Sequence, residues 1–254
     1  MTSNSLPHNA PPAPPGSAPS ASSSATTPRP ATRRVVDAAT RMLHWLMALS
    51  FTGAYITADG ERWRLVHVTL GYTMAGLLVA RVLWGVFGPR PARLSMLWRK
   101  LQGAPAWLKA AASGRIDWRQ GQNLLLAATV ALLLIVIAPL TLSGLGVYQE
   151  WGGGDALEEL HEFLGNGLLA LVLAHVGAVL ALSLLRRRNL VAPMLSGRTP
   201  GAGPDLVKRP FTGVAALLLA AVLTFWGWQW QTAPTAVAGD GYTAQSHHDD
   251  DDDD

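Results

Sequence analysis

The sequence predicts an all-α integral membrane protein, and three observations carry that prediction. Of its 254 residues, 49% are hydrophobic and 15% are charged, and the mean hydropathy is +0.21. Five apolar stretches, at 42–58, 65–87, 123–145, 160–185 and 212–230, approach the ~17–25 residues that a membrane-spanning helix needs. The charged residues divide between the connecting segments according to sign. These features exclude an ordinary soluble domain.

The segments outside the spans complete the predicted organisation. Residues 1–36 contain no apolar run and are rich in Pro, Ala and Ser, so we expect a disordered tail there and no secretory signal. Residues 37–190 contain the first four spans and form the predicted four-helix bundle. A basic loop and a fifth transmembrane helix occupy 191–230, and an acidic tail that ends in six Asp occupies 231–254.

The charge distribution predicts the orientation. Segments 1–41, 88–122 and 186–211 carry 17 of the 20 Lys and Arg residues, whereas 14 of the 17 Asp and Glu residues lie elsewhere. Because cytoplasmic loops are enriched in Lys and Arg, the amino terminus is predicted to be cytoplasmic and the carboxyl terminus external. The net charge of +3 conceals this separation, and the separated charges predict a lipid bilayer as partner, with no nucleic acid.

The long basic loop before the third span has its own pattern. Trp98, Trp107 and Trp118 alternate there with Arg and Lys. This pattern suits a helix lying on the anionic inner leaflet, and it suits a solvated loop with aromatic anchors equally well.

The residues that could bind a metal or a cofactor are histidines. The chain has no cysteine, which excludes iron–sulfur clusters, disulfides, Cys-ligated zinc and covalently attached c-type haem. Four of its seven histidines lie in spans: His44, His67, His161 and His175. A single intramembrane histidine is often a helix-packing residue, so the arrangement of the four histidines distinguishes packing from ligand binding.

The spacing of the histidines places them in pairs. His161 and His175 are 14 residues apart, which is about 40° short of four turns, so both project from nearly one helix face about 21 Å apart along the axis. The first span runs outward, and the second and fourth run inward. His67 is therefore expected to share an outer depth with His161, and His44 an inner depth with His175.

Two imidazoles at one depth are the arrangement that a bis-His b haem requires. Small residues lie one turn beyond three of the ligands, where a macrocycle would approach the backbone: Ala48, Gly71 and Gly165. Ordinary close helix packing would explain these small residues as well. A zinc site is less well matched, because each depth offers two ligands and no intramembrane carboxylate completes the set.

Two arginines are candidate partners for haem propionates. Arg81 lies inside the second span, 14 residues after His67, and could bind an inner propionate or extend to the inner interface. Arg64, like Arg62, lies beside the outer pair and could bind an outer propionate, or it could pair with an acid of the same loop such as Glu61.

Together these motifs carry a family resemblance. The HW at 44–45, the H-x-x-x-G followed by AR-x-x-WG-x-x-G in the second span, and the paired histidines of the fourth occur in order. Over about residues 37–190 the chain resembles the four-helix di-haem cytochromes of bacterial inner membranes, which include cytochrome b-561 and the cytochrome b subunits of nickel–iron hydrogenases. The resemblance implies two non-covalent b haems ligated by the four histidines, and electron exchange with membrane quinone and a redox partner.

The predicted function is transmembrane electron transfer, as a component of a quinone-linked oxidoreductase. Acidic residues near the outer face would attract a basic external protein such as a c-type cytochrome, and a hydrogenase is the other predicted partner. The alternative is a haem-free transporter or assembly anchor whose histidines pack or relay protons. That alternative requires an intramembrane carboxylate, and the spans contain only Glu162, at an outer end. A haem sensor or haem-delivery subunit would fit the sequence equally.

Overall fold

The computed structural model describes residues 31–232. Residues 1–30 of the predicted amino-terminal tail and the acidic tail from residue 233 lie outside this range. Eight helices and two short strands make up the described chain, which confirms the all-α prediction apart from one small ribbon. The helices are α1 Ala38–Ile56, α2 Arg64–Phe87, α3 Leu94–Leu101, α4 Ala104–Ala112, α5 Trp118–Tyr148, α6 Gly154–Leu185, α7 Ala192–Ser196 and α8 Thr212–Thr232.

Four helices in the described chain are long and apolar enough to cross a membrane. They are α2 with the short 3-10 turn before it, α5, α6 and α8. The first predicted span corresponds to α1, which has 19 residues but does not meet the same criterion. Polar side chains such as Arg41, His44 and Ser50 lower its hydropathy. Four membrane-spanning helices are therefore supported, and the fifth predicted crossing is not confirmed.

The structure contains a two-stranded antiparallel ribbon that the sequence did not predict. Strand β1, Thr32–Arg34, pairs with β2, Arg198–Pro200, and Arg33 lies opposite Thr199. The prediction of a tail up to residue 36 is wrong for β1, because this segment finds its hydrogen-bonding partner 166 residues later, in the loop before α8. Such a non-local pairing leaves no local composition signal.

Helix α1 begins at a buried cap. The Asp37 carboxylate accepts hydrogen bonds from the Thr40 backbone N–H at 2.8 Å and from the Thr40 hydroxyl at 2.7 Å. The indole Nε1–H of Trp84 in α2 donates to the same carboxylate at 3.1 Å. Asp37 therefore satisfies the first turn of α1 and fixes that end against α2.

The main core lies midway along the bundle. Helices α1, α2, α5 and α6 each contribute to one buried apolar cluster: Phe51, Met74, Ile137, Leu140 and Leu168. Leu168 lies seven residues from both His161 and His175, so this cluster occupies the layer between the two predicted histidine depths.

A second buried cluster attaches α8 to the first two helices. It consists of Leu43 and Leu46 of α1, Leu77 of α2 and Val222 of α8. The indole of Trp226 also donates to the Thr73 hydroxyl of α2 at 2.9 Å. Helix α8 is thus packed along α1 and α2 as an addition to the four-helix unit.

Candidate haem-binding site

The structure brings together the two histidines predicted for the outer depth. His67, in the first turn of α2, and His161, in the second turn of α6, have ring centroids 6.0 Å apart and ring planes 82° apart. An imidazole nitrogen lies about 2 Å from a transition metal that it binds, so two imidazoles on opposite sides of one ion have centres about 6 Å apart. The spacing of the two rings therefore fits a single metal centre between them.

Backbone carbonyls orient both outer rings. His67 Nδ1 lies 2.8 Å from the Ala54 carbonyl oxygen of α1, and His161 Nδ1 lies 3.0 Å from the Leu140 carbonyl oxygen of α5. A carbonyl only accepts hydrogen bonds, so each Nδ1 carries the proton and each Nε2 keeps its lone pair. A donor bond from the second ring nitrogen is the usual support of a metal-binding histidine. The outer pair thus has the tautomer that axial ligation requires.

A glycine of α5 forms the wall behind His161. A Cβ at Gly144 would lie 2.7 Å from Cε1 and 3.0 Å from Nδ1 of the His161 ring. The ring therefore packs directly on the α5 backbone, and the Ser143 hydroxyl lies 3.3 Å from its Nδ1. Gly144 and Ser143 could not be predicted as neighbours of His161, because that relation depends on the register between α5 and α6.

The inner histidines are held less firmly. His44 in α1 and His175 in α6 are both half-buried. The Nδ1 atom of each ring is buried and has no hydrogen-bond partner among the described residues. A buried nitrogen left unpaired costs roughly 1–3 kcal/mol. The inner pair therefore has ligand atoms available but lacks the carbonyl partners of the outer pair.

Free space adjoins the small residues that the sequence predicted as clearance. A Cβ built at Gly71 would meet no heavy atom within 4 Å, and at Gly165 it would meet only a Leu140 methyl at 4.0 Å. Both glycines are half-buried, and Ala48 is half-buried as well. The donor set, the ring spacing and this space together fit a planar macrocycle held between helices.

The comparison with known families shows to which family the chain belongs. The family model of prokaryotic cytochrome b561 matches residues 35–197. The chain belongs to this family. The match contains all four candidate histidines and ends before α8. No curated protein and no solved structure gives a significant match.

Membership in the cytochrome b561 family confirms the predicted resemblance to bacterial membrane cytochromes b. Proteins of this family are haem b proteins of membrane electron transfer, and the apolar helices of this chain agree with that role. The finding favours electron transfer over a haem-free transporter or anchor.

The two candidate arginines of this cytochrome lie in different surroundings. Arg81 is half-buried, and its Nη1 donates to the Ala92 carbonyl oxygen at 3.2 Å. Its side chain lines a cavity to which none of the four histidines contributes. Arg64 is exposed and lies 3.4 Å from Glu61, the loop pairing that the sequence allowed as an alternative. Among the described residues, neither arginine forms a hydrogen bond or an ion pair with a candidate histidine.

Proposed function

We propose that this cytochrome b561 family member carries two b haems and transfers electrons across the membrane between quinone and a redox partner. His67 and His161 would hold the outer haem, and His44 and His175 the inner haem. The observation that carries the proposal is the outer pair, with its ring spacing of 6.0 Å and both Nδ1 atoms bound to backbone carbonyls.

The protein's own contribution is to hold and separate the two centres. A bound haem supplies the reversible one-electron change at its iron. The histidines fix each iron position, and the 14-residue spacing on α6 separates the two levels by about 21 Å along the helix axis. The buried cluster around Phe51 and Leu168 fills the layer between them and excludes water. No general acid or base is needed for this function.

The proposal requires that α1 also crosses the membrane. His44 can share a depth with His175 only if α1 lies beside α2 and α6 within the bilayer. The packing of α1 along α2 and α8 supports this position. The charge distribution supports a cytoplasmic amino terminus and an external carboxyl terminus.

The proposed organisation follows from these positions. The four-helix di-haem domain spans 37–190, and the basic loop and fifth helix span 191–230. Within this scheme Arg81 would neutralise an inner propionate and Arg64 an outer one, since a guanidinium pairs well with a carboxylate. The quinone pool is the proposed donor or acceptor inside the membrane. An external c-type cytochrome or a hydrogenase is the proposed partner, so the protein would serve as the electron-transfer component of a quinone-linked oxidoreductase.

A haem count on detergent-purified protein tests the proposal. The pyridine haemochrome assay should give two b haems per chain, and His67→Ala and His44→Ala should each give one. The double variant should give none, and His8→Ala, outside the described residues, should keep two. Gel filtration shows whether each variant is folded. A wild-type chain with one haem, or none, would overturn the two-centre assignment.

Electron transfer needs a second measurement. A short-chain quinol should reduce both haems of the wild type under anaerobic conditions, followed by the visible spectrum. Haems that are present but remain oxidised with excess quinol would point to a sensor or haem-delivery protein and would contradict the proposed conduit.

A further inference from the structure

A cavity of about 320 Å³ lies where α1 begins, α2 ends and α3 packs against α5. Three cationic side chains line it: Arg81, Arg93 and Lys100. The rest of the wall is largely aliphatic, with Leu97 and Val130, and Asn123 adds an amide. Arg81 is half-buried, whereas Arg93 and Lys100 are exposed, so the cavity has a deep cation and two cations near its surface.

The cavity cations have no carboxylate partner in the part of the chain that the structure describes. The one ion pair found within residues 31–232 joins Arg64 to Glu61, outside the cavity. Arg81 and Arg93 donate instead to the neutral backbone carbonyls of Ala92 and Gly88, at 3.2 Å and 3.0 Å. Their positive charge is thus available to an anion.

Asp37 is the acidic residue that lines the cavity, and it is already engaged. Its carboxylate accepts two hydrogen bonds from Thr40 and one from Trp84, and its side chain is only 1% exposed. Proximity to the first turn of α1 further offsets its charge. The accessible chemistry of the cavity is therefore cationic and aliphatic.

We propose that this cavity binds the phosphate headgroup of an anionic phospholipid. Basic pockets between membrane helices bind such headgroups, because arginine and lysine pair with the phosphate while aliphatic walls receive the first part of the acyl chains. Arg93 and Lys100 hold the phosphate near the surface of the cavity, and Arg81 lies beneath them. The position at the end of α2, immediately after Phe87, places the cavity at the depth of headgroups.

The other source of a suitable anion is a propionate of the inner haem. None of the four candidate ligand histidines lines the cavity, and Arg93 and Lys100 lie beyond the end of α2. These two observations favour the phospholipid as the partner of Arg93 and Lys100, whereas the deeper Arg81 stays the proposed partner of the inner propionate. The topology under "Proposed function" places this cavity in the cytoplasmic leaflet, and the binding of the lipid does not depend on that topology.

The test compares two double variants of the full chain, purified from bacterial membranes in mild detergent. Arg93→Gln/Lys100→Gln removes the two surface cations of the cavity. Lys109→Gln/Arg115→Gln removes the same charge from the same connecting segment, at positions outside the cavity. Native mass spectrometry measures bound phosphatidylglycerol and phosphatidylethanolamine, and the haem content of each sample is measured alongside.

The wild type and the Lys109/Arg115 double variant should retain phosphatidylglycerol in preference to phosphatidylethanolamine. The Arg93/Lys100 double variant should bind phosphatidylglycerol roughly 30-fold more weakly, because each cation near a membrane surface contributes to anionic-lipid binding. Its haem content should equal that of the wild type. Equal lipid retention by both double variants would overturn the proposal.

Loss of haem with unchanged lipid retention would also overturn it and would assign the cavity to a haem propionate. The two proposals fail separately. A wild type without haem that still shows the lipid difference refutes the electron-transfer proposal alone. A wild type with two haems and no lipid difference refutes only the lipid site.

Discussion

Replacing Gly144 by alanine should weaken the outer haem while leaving the fold intact. The new Cβ would lie 2.7 Å from Cε1 of His161, whereas non-bonded carbon atoms prefer about 3.5–4.0 Å. The His161 ring would therefore have to move by about 1 Å. A hydrogen bond from His161 Nδ1 to the Leu140 carbonyl oxygen, 3.0 Å away, holds the ring against α5, the helix that contains Gly144. Moving the ring would therefore break or bend this hydrogen bond.

The size of the effect follows from the hydrogen bond that the His161 ring would lose. Loss of the second bond of a metal-binding histidine typically weakens metal affinity roughly 10–100-fold, and we expect a loss of this size at the outer site only. Alanine is a better helix former than glycine by roughly 0.5–1 kcal/mol, so the substitution should not destabilise α5 itself. Reduced haem retention would then reflect the displaced His161 ring.

The assay is haem transfer from the purified protein to an excess of apomyoglobin, followed by the visible spectrum. Gly144→Ala should release one of its two haems much faster than the wild type. Gly76→Ala is the matched control, because a Cβ at this exposed glycine of α2 meets no atom within 4 Å. Release at the wild-type rate from Gly144→Ala, or equally fast release from Gly76→Ala, would refute the reasoning.

Three further outcomes are expected. Arg64→Gln should leave the melting temperature nearly unchanged, because Arg64 is exposed and its 3.4 Å contact with Glu61 is a surface ion pair, and it should speed release of the outer haem, because the proposed propionate partner is lost; haem release at the wild-type rate would refute that role. Since the chain has no cysteine, Ser113→Cys and Gly152→Cys report topology: a membrane-impermeant maleimide added to spheroplasts should label only Gly152→Cys, and the reverse pattern would refute the orientation. Asp37→Ala should lower stability by roughly 0.5–2 kcal/mol in chemical denaturation, because α1 loses its cap; an unchanged midpoint would contradict that role.

The proximity of His67 and His161 could be predicted because it depends only on helix geometry and on the direction of each span. The 14-residue spacing of His161 and His175 fixes one helix face, and the charge distribution orders the helices. The register between the helices does not enter this prediction. The structure then brings His67 and His161 to 6.0 Å.

The support of those rings could not be predicted. The acceptors are the carbonyls of Ala54 and Leu140, and every residue carries a carbonyl, so no residue type marks them. Gly144 lies close to His161 only because α5 and α6 pack in one particular register. The partner of β1 is equally hidden, since a three-residue strand has no periodicity of its own.

Helix α1 connects the four-helix unit with the added helix α8. It carries a candidate inner ligand, His44, and a buried cap, Asp37, and these polar groups make it the least membrane-like of the five long helices. Helix α8 packs on α1 through Val222, which lies in one buried cluster with Leu43 and Leu46, although α8 lies outside the residues shared with the cytochrome b561 family. The added helix therefore covers the helix that carries His44, the proposed inner ligand.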